Sequence, residues 1–261
     1  MRAYVPGYRL VNARTLKEAL ELLAEGFRPV AGGTDVMVSF EAGRLTHRKW
    51  VSIRRLLEFR GIDITAEHIT IGALTTYTDV RRHALIAAEF PMLTAAAAQS
   101  GAIATQNRGT IGGNIINASP AADTPPALLA YDAEVEITWP RGARWMPYAK
   151  FHKGYKEVDM ARDELLTRVR VPRRFDGWKH FYRKVAARRA QAISKVCFAG
   201  VHKGEEMRIG LGSVAPVPLL LDASSSEGIA PIDDLRSTAR YRAQVLKNLF
   251  DQFMTEDLSS F

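Results

Sequence analysis

The spacing of apolar residues near the start of the chain predicts a helix between two short strands. Residues 16–25 place leucine and alanine on one helical face, with Thr15 in position to cap the first turn and Gly26 to end the helix. Short β-rich runs follow at residues 28–31 and 50–53. Residues 1–60 are therefore expected to form a β–α–β unit.

Alternating apolar and polar residues predict three strands in the middle of the chain. These strands span residues 68–74, 133–139 and 164–172. A helical stretch follows the first strand and must stop or kink at Pro91, because proline has no amide N–H to continue a helix. The glycine-rich residues 104–126 are expected to be irregular. We expect residues 61–175 to form an α+β domain.

Residues 176–261 form a third block with its own strand and helix pattern. Strands are predicted at residues 193–203, 205–215 and 216–223, with an exposed loop at 224–231. Helical apolar spacing follows at Val245, Leu246, Leu249, Phe250 and Phe253. The whole chain is thus expected to belong to the α+β class.

Two glycine pairs stand out as candidate cofactor turns, in AGGTD (residues 31–35) and TIGGN (residues 110–114). Glycine lets the backbone approach a ligand without a β-carbon in the way, and successive N–H groups in such a turn suit a phosphate. Neither pair matches GxGxxG or GxxxxGK[ST], so Rossmann and P-loop sites are not supported. By itself, each pair is more typical of a tight turn than of a nucleotide site.

The composition excludes several other classes of protein. The chain has 261 residues, 47% of them hydrophobic and 25% charged, as in ordinary globular proteins. No apolar run reaches the ~18 residues of a membrane-spanning helix, and the N-terminus lacks the apolar core of a secretory signal, so we expect a cytoplasmic protein. The single cysteine, Cys197, has apolar neighbours and is expected to be buried. Six scattered histidines predict no metal site.

The net charge of +8 is concentrated in residues 137–190. This basic segment holds 15 Lys or Arg and 5 Asp or Glu, whereas the rest of the chain is slightly acidic. Such a segment can attract an acidic partner or an anionic small molecule, or it can be a solvated face. No zinc-finger, helix-turn-helix or RNA-recognition pattern accompanies it, so no nucleic acid is expected as a partner.

Four segments occur in an order and at a spacing that resemble one family. They are VAGGTDV, TIGGNIINASPAADTPPALLAYDAEVEI, FHKGYKEVDMARDELLTRVRVP and RKVAARRAQAISKVC. They look like the FAD-binding medium subunits of the xanthine dehydrogenase and carbon monoxide dehydrogenase group, the molybdenum hydroxylases. The resemblance implies a p-cresol methylhydroxylase-type FAD-binding fold of two α/β subdomains, residues 1–60 and 61–175. A C-terminal α/β domain, residues 176–261, is implied after them.

The resemblance also implies which residues contact FAD. Ile116 would pack against the flavin ring, Asp123 would hydrogen-bond the cofactor, and Lys184 would place a cation near the flavin. The alternatives are a core role for Ile116, a helix cap for Asp123 and a solvated Lys184. The full set implied is Val30, Ala31, Gly32, Gly33, Thr34, Asp35, Thr110, Ile111, Gly112, Gly113, Asn114, Ile116, Asp123, Leu166 and Lys184. The chain departs from the family at Gln106, where arginine is common, and at residues 190–192, where an acidic run is usual.

The function implied is that of the FAD-binding, electron-transferring subunit of a molybdenum hydroxylase. A small subunit with [2Fe–2S] clusters would deliver electrons, a large subunit would carry molybdopterin, and NAD, a quinone or oxygen would accept the electrons. No catalytic acid, base or metal ligand is expected on this chain, since the cofactor carries the chemistry. Two alternatives stay open: a stand-alone FAD-dependent oxidoreductase, and an interaction subunit without cofactor.

Overall fold

The first sheet and its helices are built from the N-terminal fifth of the chain. The computed structural model describes residues 7–189, 191–221 and 229–255. Strands β1 (Arg9–Asn12), β2 (Arg28–Val30) and β3 (Lys49–Ser52) form a parallel sheet in the order β1-β3-β2, and the helices are α1 (Leu16–Ala24) and α2 (Thr34–Glu41). Thr15 caps α1 by accepting the Glu18 N–H, and Gly26 follows the helix in a left-handed conformation (φ 84°). The predicted β–α–β unit is confirmed.

A five-stranded antiparallel sheet forms the centre of the molecule. Its strands are β4 (Ile62–Ile64), β5 (His68–Gly72), β6 (Glu134–Trp139), β7 (Gly142–Pro147) and, after the small hairpin β8 (His152–Gly154) and β9 (Glu157–Val158), β10 (Leu165–Pro172). The order is β4-β5-β10-β6-β7. Strands β5, β6 and β10 were predicted, whereas β4 and β7 were not assigned from the sequence.

Six short helices are inserted between β5 and β6. They are α3 (Tyr77–Arg82), α4 (Ala84–Glu89), α5 (Pro91–Gln99), α6 (Ile103–Gln106), α7 (Ile111–Asn117) and α8 (Thr124–Ala130). The expectation of an irregular segment at residues 104–126 was therefore wrong. Thr110 caps α7 by accepting the Gly113 N–H, and proline lies in the first turn of both α5 and α8, where its missing N–H has no intrahelical partner to lose.

The C-terminal part forms a four-stranded antiparallel sheet with one long helix. The strands β11 (Lys179–Ala186), β12 (Ser194–Lys203), β13 (Glu206–Gly212) and β14 (Leu219–Leu221) pair in sequence order, and α9 (Ala239–Thr255) lies on the sheet. Strand β11 was missed by the sequence analysis. Most of the loop expected at residues 224–231 lies outside the described residues.

The central block and the C-terminal sheet share one hydrophobic core. Cys197, Ala199 and Val201 of β12 are fully buried in the same cluster as residues of α5 and α8. Gly210 of β13 lies so close to α8 that a β-carbon would come within 2.0 Å of the Pro126 carbonyl oxygen. The architecture is an α+β fold of three main sheets and one two-stranded hairpin, and the domain limits at residues 60 and 175 stay predictions. Among the described residues, no helix is long and apolar enough to cross a membrane.

Candidate cofactor-binding site

A cavity of about 610 Å³ lies between the first sheet, the central sheet and loops of the C-terminal part. Its walls come from the β2–α2 connection, the segment around α7, the loop before α8 and strand β10. The C-terminal part also contributes Gln191, Ala192, Ile193 and Arg236. The cavity therefore joins segments that are up to two hundred residues apart in the sequence.

Thirteen of the fifteen residues predicted to contact FAD line this one cavity. The two exceptions are Ile111 and Lys184. Ile111 is 2% exposed and packs into the central core, and Lys184 binds Asp123 without lining the cavity itself. Their direct contact with a cofactor stays a prediction, as it does for the other thirteen. Ile116 is half-buried against the central core and also lines the cavity, so the two roles weighed for it are both compatible with its position.

The first glycine pair leads into a helix whose N-terminus is open. Gly33 is the N-cap of α2 with a positive φ of 75° and has no side chain to cap the first turn. The first backbone bond of this helix runs from the Met37 N–H to the Gly33 carbonyl. Within the described part of the chain, the N–H groups of Thr34, Asp35 and Val36 consequently have no acceptor. These three residues line the cavity, so their N–H groups are the place where an anion is favoured.

The second glycine pair differs from what the sequence led us to expect. The Ile111 and Gly112 N–H groups donate to the Thr75 and Ala73 carbonyls, both at 2.9–3.0 Å, and the next two N–H groups are taken up by Thr110. The successive N–H groups of TIGGN thus form hydrogen bonds within the protein. They leave no concavity of free N–H groups that could hold a phosphate. Gly112 is required because a β-carbon would lie 2.5 Å from that of Ala73. At Gly113, a β-carbon would meet only the Thr110 hydroxyl, at 2.9 Å.

Asp123 is the centre of a buried polar cluster that reaches the cavity. Lys184 Nζ donates to Asp123 Oδ2 at 2.8 Å, and Ser194 Oγ donates to Oδ1 at 2.7 Å. The Lys184 side chain is 5% exposed and also donates to the Gln99 carbonyl. Burial raises the pKa of Asp123, although the Lys184 charge opposes that shift. Asp123 makes no capping bond to α8, and Lys184 is not solvated, so both simpler alternatives are wrong.

Several wall residues were missed by the sequence analysis. Tyr77 and Ser100 lie beside Asp123, and burial raises the pKa of the Tyr77 hydroxyl far above its ordinary value. Leu74 and Leu165 extend the apolar wall next to the predicted Leu166. None of these residues belongs to a glycine pair or a conspicuous motif, so no pattern in the chain indicated them.

The positive charge of the basic segment is largely offset by acidic side chains of the same chain. At least seven of its fifteen cations form ion pairs in the described structure, and five of their carboxylate partners (Glu89, Asp123, Asp132, Glu134 and Glu136) come from outside the segment. On the central sheet, Arg168 pairs with Glu136 and Arg170 with Glu134, both at 2.7 Å. The surplus of positive charge seen in the sequence is therefore much smaller at the surface.

Gln106, one of the departures from the family pattern, is a structural residue. It is 2% exposed, accepts a hydrogen bond from Arg81 at 2.8 Å and donates to the Ala98 carbonyl at 2.9 Å. It therefore fixes the connection between α5 and α6 without reaching the cavity wall.

A large cavity with an open helix N-terminus, an apolar wall and a buried acidic cluster defines a cofactor-binding α+β protein. In the described ranges, no three His, Cys, Asp or Glu side chains converge as metal ligands would. The profile of a family described as FAD binding domain in molybdopterin dehydrogenase matches residues 6–174. The chain belongs to this family, and it is a component of an oxidoreductase.

Relatives of known name match the chain over nearly its whole length. It is 31% identical to the glyceraldehyde dehydrogenase medium chain of Sulfolobus acidocaldarius, over 94% of this chain and 96% of the relative. It is 30% identical to the xanthine dehydrogenase FAD-binding subunit of Escherichia coli O157:H7, over 95% of each chain. A solved structure of carbon monoxide dehydrogenase from Hydrogenophaga pseudoflava superposes with a TM-score of 0.88 at 24% identity, covering 95% and 96% of the two chains. This last likeness establishes the fold.

Proposed function

We propose that the chain binds FAD in the 610 Å³ cavity and transfers electrons within a molybdenum hydroxylase complex. The observation that carries the proposal is the convergence of thirteen predicted contact residues from separate segments of the chain on this one cavity. Its volume lies within the range of about 300–1,000 Å³ that is usual for ligand and cofactor sites. When bound, FAD supplies a flavin that accepts and donates electrons singly or in pairs.

Each part of the wall suits one part of FAD. The open N–H groups of Thr34, Asp35 and Val36 would hold the diphosphate, because a helix N-terminus combines free donors with a positive dipole end. The apolar side chains of Ile116, Leu165 and Leu166 would contact the flavin ring. The ammonium group of Lys184 would act on the flavin through Asp123, since its Nζ is already bound to that carboxylate.

The partners proposed are a large subunit with molybdopterin and a small subunit with [2Fe–2S] clusters. In support, the relatives are named medium chain or FAD-binding subunit, and they match 94% and 95% of this chain. Electrons would arrive from the [2Fe–2S] clusters and leave to NAD, a quinone or oxygen. A cytoplasmic location is proposed with this assembly.

The test begins with the full chain, purified alone and with co-expressed partner subunits. Its visible spectrum is recorded after FAD is added and free FAD is removed, and bound flavin is released by denaturation and quantified. We expect about one FAD per chain. A chain that holds no FAD, alone or in the complex, would contradict the proposal. Turnover of an organic substrate by the chain alone would indicate a stand-alone oxidoreductase instead.

A further inference from the structure

Arg236 brings a positive charge to the cavity from the C-terminal part of the chain. Among the described residues of the cavity wall, only Asp35, Asp123 and Arg236 carry a formal charge. Arg236 is therefore the single cation of this wall. It was not predicted from the sequence, because it lies far from both glycine pairs and in no recognisable motif.

A tight turn before α9 holds Arg236 in place. Asp234 Oδ1 accepts the backbone N–H groups of Arg236 at 2.8 Å and of Ser237 at 3.1 Å. The same oxygen accepts a hydrogen bond at 2.7 Å from Arg242, whose side chain is 1% exposed. Arg242 also donates to the Ser213 carbonyl at the end of the C-terminal sheet. The turn is thus fastened to the core of the C-terminal block.

The guanidinium group of Arg236 has donors left for a ligand. It makes one bond within the turn, from NH1 to Asp234 Oδ2 at 3.2 Å, and its side chain is 39% exposed. A guanidinium group carries five N–H donors in a planar fork that matches phosphate oxygens. The group is therefore both placed at the cavity and free to bind an anion.

The charge balance of the cavity indicates which anion this is. Asp123 is already neutralised by Lys184, and Asp35 accepts a hydrogen bond from Asn117 at 3.3 Å. In oxidised FAD, the only formal charge is on the diphosphate. We propose that Arg236 pairs with this diphosphate and completes, from the C-terminal block, the anion site begun by α2. This inference rests on the proposed binding of FAD.

The experiment compares FAD binding by the full chain and by three variants. Arg236→Ala removes the charge and Arg236→Lys retains it, while Arg240→Ala removes an exposed cation of α9 that is not in the cavity wall. Dissociation constants are measured by flavin fluorescence at two salt concentrations, and ADP is used as a competitor that carries the same diphosphate. Thermal unfolding of each variant monitors the fold.

We expect Arg236→Ala to weaken FAD and ADP binding by about 10-fold or more, the usual effect of losing a charge-assisted hydrogen bond. The salt dependence of the dissociation constant should decrease as well, since one ionic contact is lost. Arg236→Lys should retain part of the affinity. An affinity of Arg236→Ala within twofold of Arg240→Ala, or a loss with unchanged salt dependence, would overturn the inference. If the unmodified chain binds no FAD, the proposed function fails with it.

Discussion

Gly32 and Arg108 are in such close contact that a β-carbon on Gly32 would lie 1.9 Å from the Arg108 carbonyl oxygen. Gly32 lies in the connection between β2 and α2, and Arg108 lies in the turn between α6 and α7. Gly32 lines the cavity, so this contact holds the first glycine pair against the segment before α7. It also shows that one glycine of each pair is required by packing, because Gly112 approaches Ala73 in the same way.

Gly113→Val is expected to abolish FAD retention and leave the fold intact. The side chain would project from the cavity wall, where the only neighbour of a new β-carbon is the Thr110 hydroxyl. FAD content and thermal unfolding of the purified variant are the two measurements. Normal FAD content would show that this glycine does not face the cofactor.

Gly32→Ala should instead destabilise the protein itself. The new methyl group would overlap the Arg108 backbone, which cannot move aside as a flexible side chain does. Overpacking of this kind costs about 1–3 kcal/mol. Chemical denaturation should show the loss without added FAD. Unchanged stability would mean that the two segments separate easily.

Lys184→Met should destabilise the chain by about 3 kcal/mol, because it leaves Asp123 buried without its counter-charge. The pKa of Asp123 is already raised by burial, and without Lys184 it should rise further. The folded variant then holds a proton that the unfolded chain releases, so its stability should fall as pH rises above the ordinary aspartate range.

The matched control for this experiment is Lys203→Met, which changes an exposed lysine at the end of β12. Unfolding free energies of both variants are compared from pH 4 to 8. Adding Asp123→Asn to Lys184→Met should recover much of the loss. Equal stabilities of the two lysine variants would contradict a structural role for the pair.

Asp234 should make the C-terminal block sensitive to acid. Burial by itself would raise the pKa of Asp234. The hydrogen bonds from the Arg236 amide and the Arg242 side chain have the larger, opposite effect, so the pKa lies below its ordinary value of 3.8. A carboxylate with a lowered pKa contributes stability that is complete above its ordinary pKa and is lost as pH falls through the folded value. Denaturation curves of Asp234→Asn and the unmodified chain should therefore converge on acidification. The control Asp251→Asn, on the exposed face of α9, should show no such convergence.

Cys197 should be inert in the folded protein. Its side chain is fully buried, and burial raises the pKa of the thiol to about 12, so almost no reactive thiolate forms at neutral pH. A thiol reagent should modify this single cysteine only after unfolding. Rapid modification of the native chain would indicate frequent opening of the contact between β12 and α8.

The local elements could be predicted where the pattern was strong. Helices α1 and α9 and strands β5, β6, β10, β12 and β13 follow from apolar periodicity. Helices α6 and α7 and the first turn of α8 could not be found in this way, because capping by Thr110 and prolines in a first turn outweighed a glycine-rich composition. Strand β11 was missed because its apolar and polar residues do not alternate: the consecutive residues Phe181 and Tyr182 are both buried.

The sequence by itself determined the family, the order of the main elements and the two glycine pairs, because each of these is carried by residues close together in the chain. Only the tertiary structure decided which amides are open at α2 and closed at α7, that Lys184 binds Asp123, and that Arg236 reaches the cavity. Each of these facts depends on contacts between segments that are distant in sequence. Local patterns do not encode such contacts, since packing of the whole chain selects them.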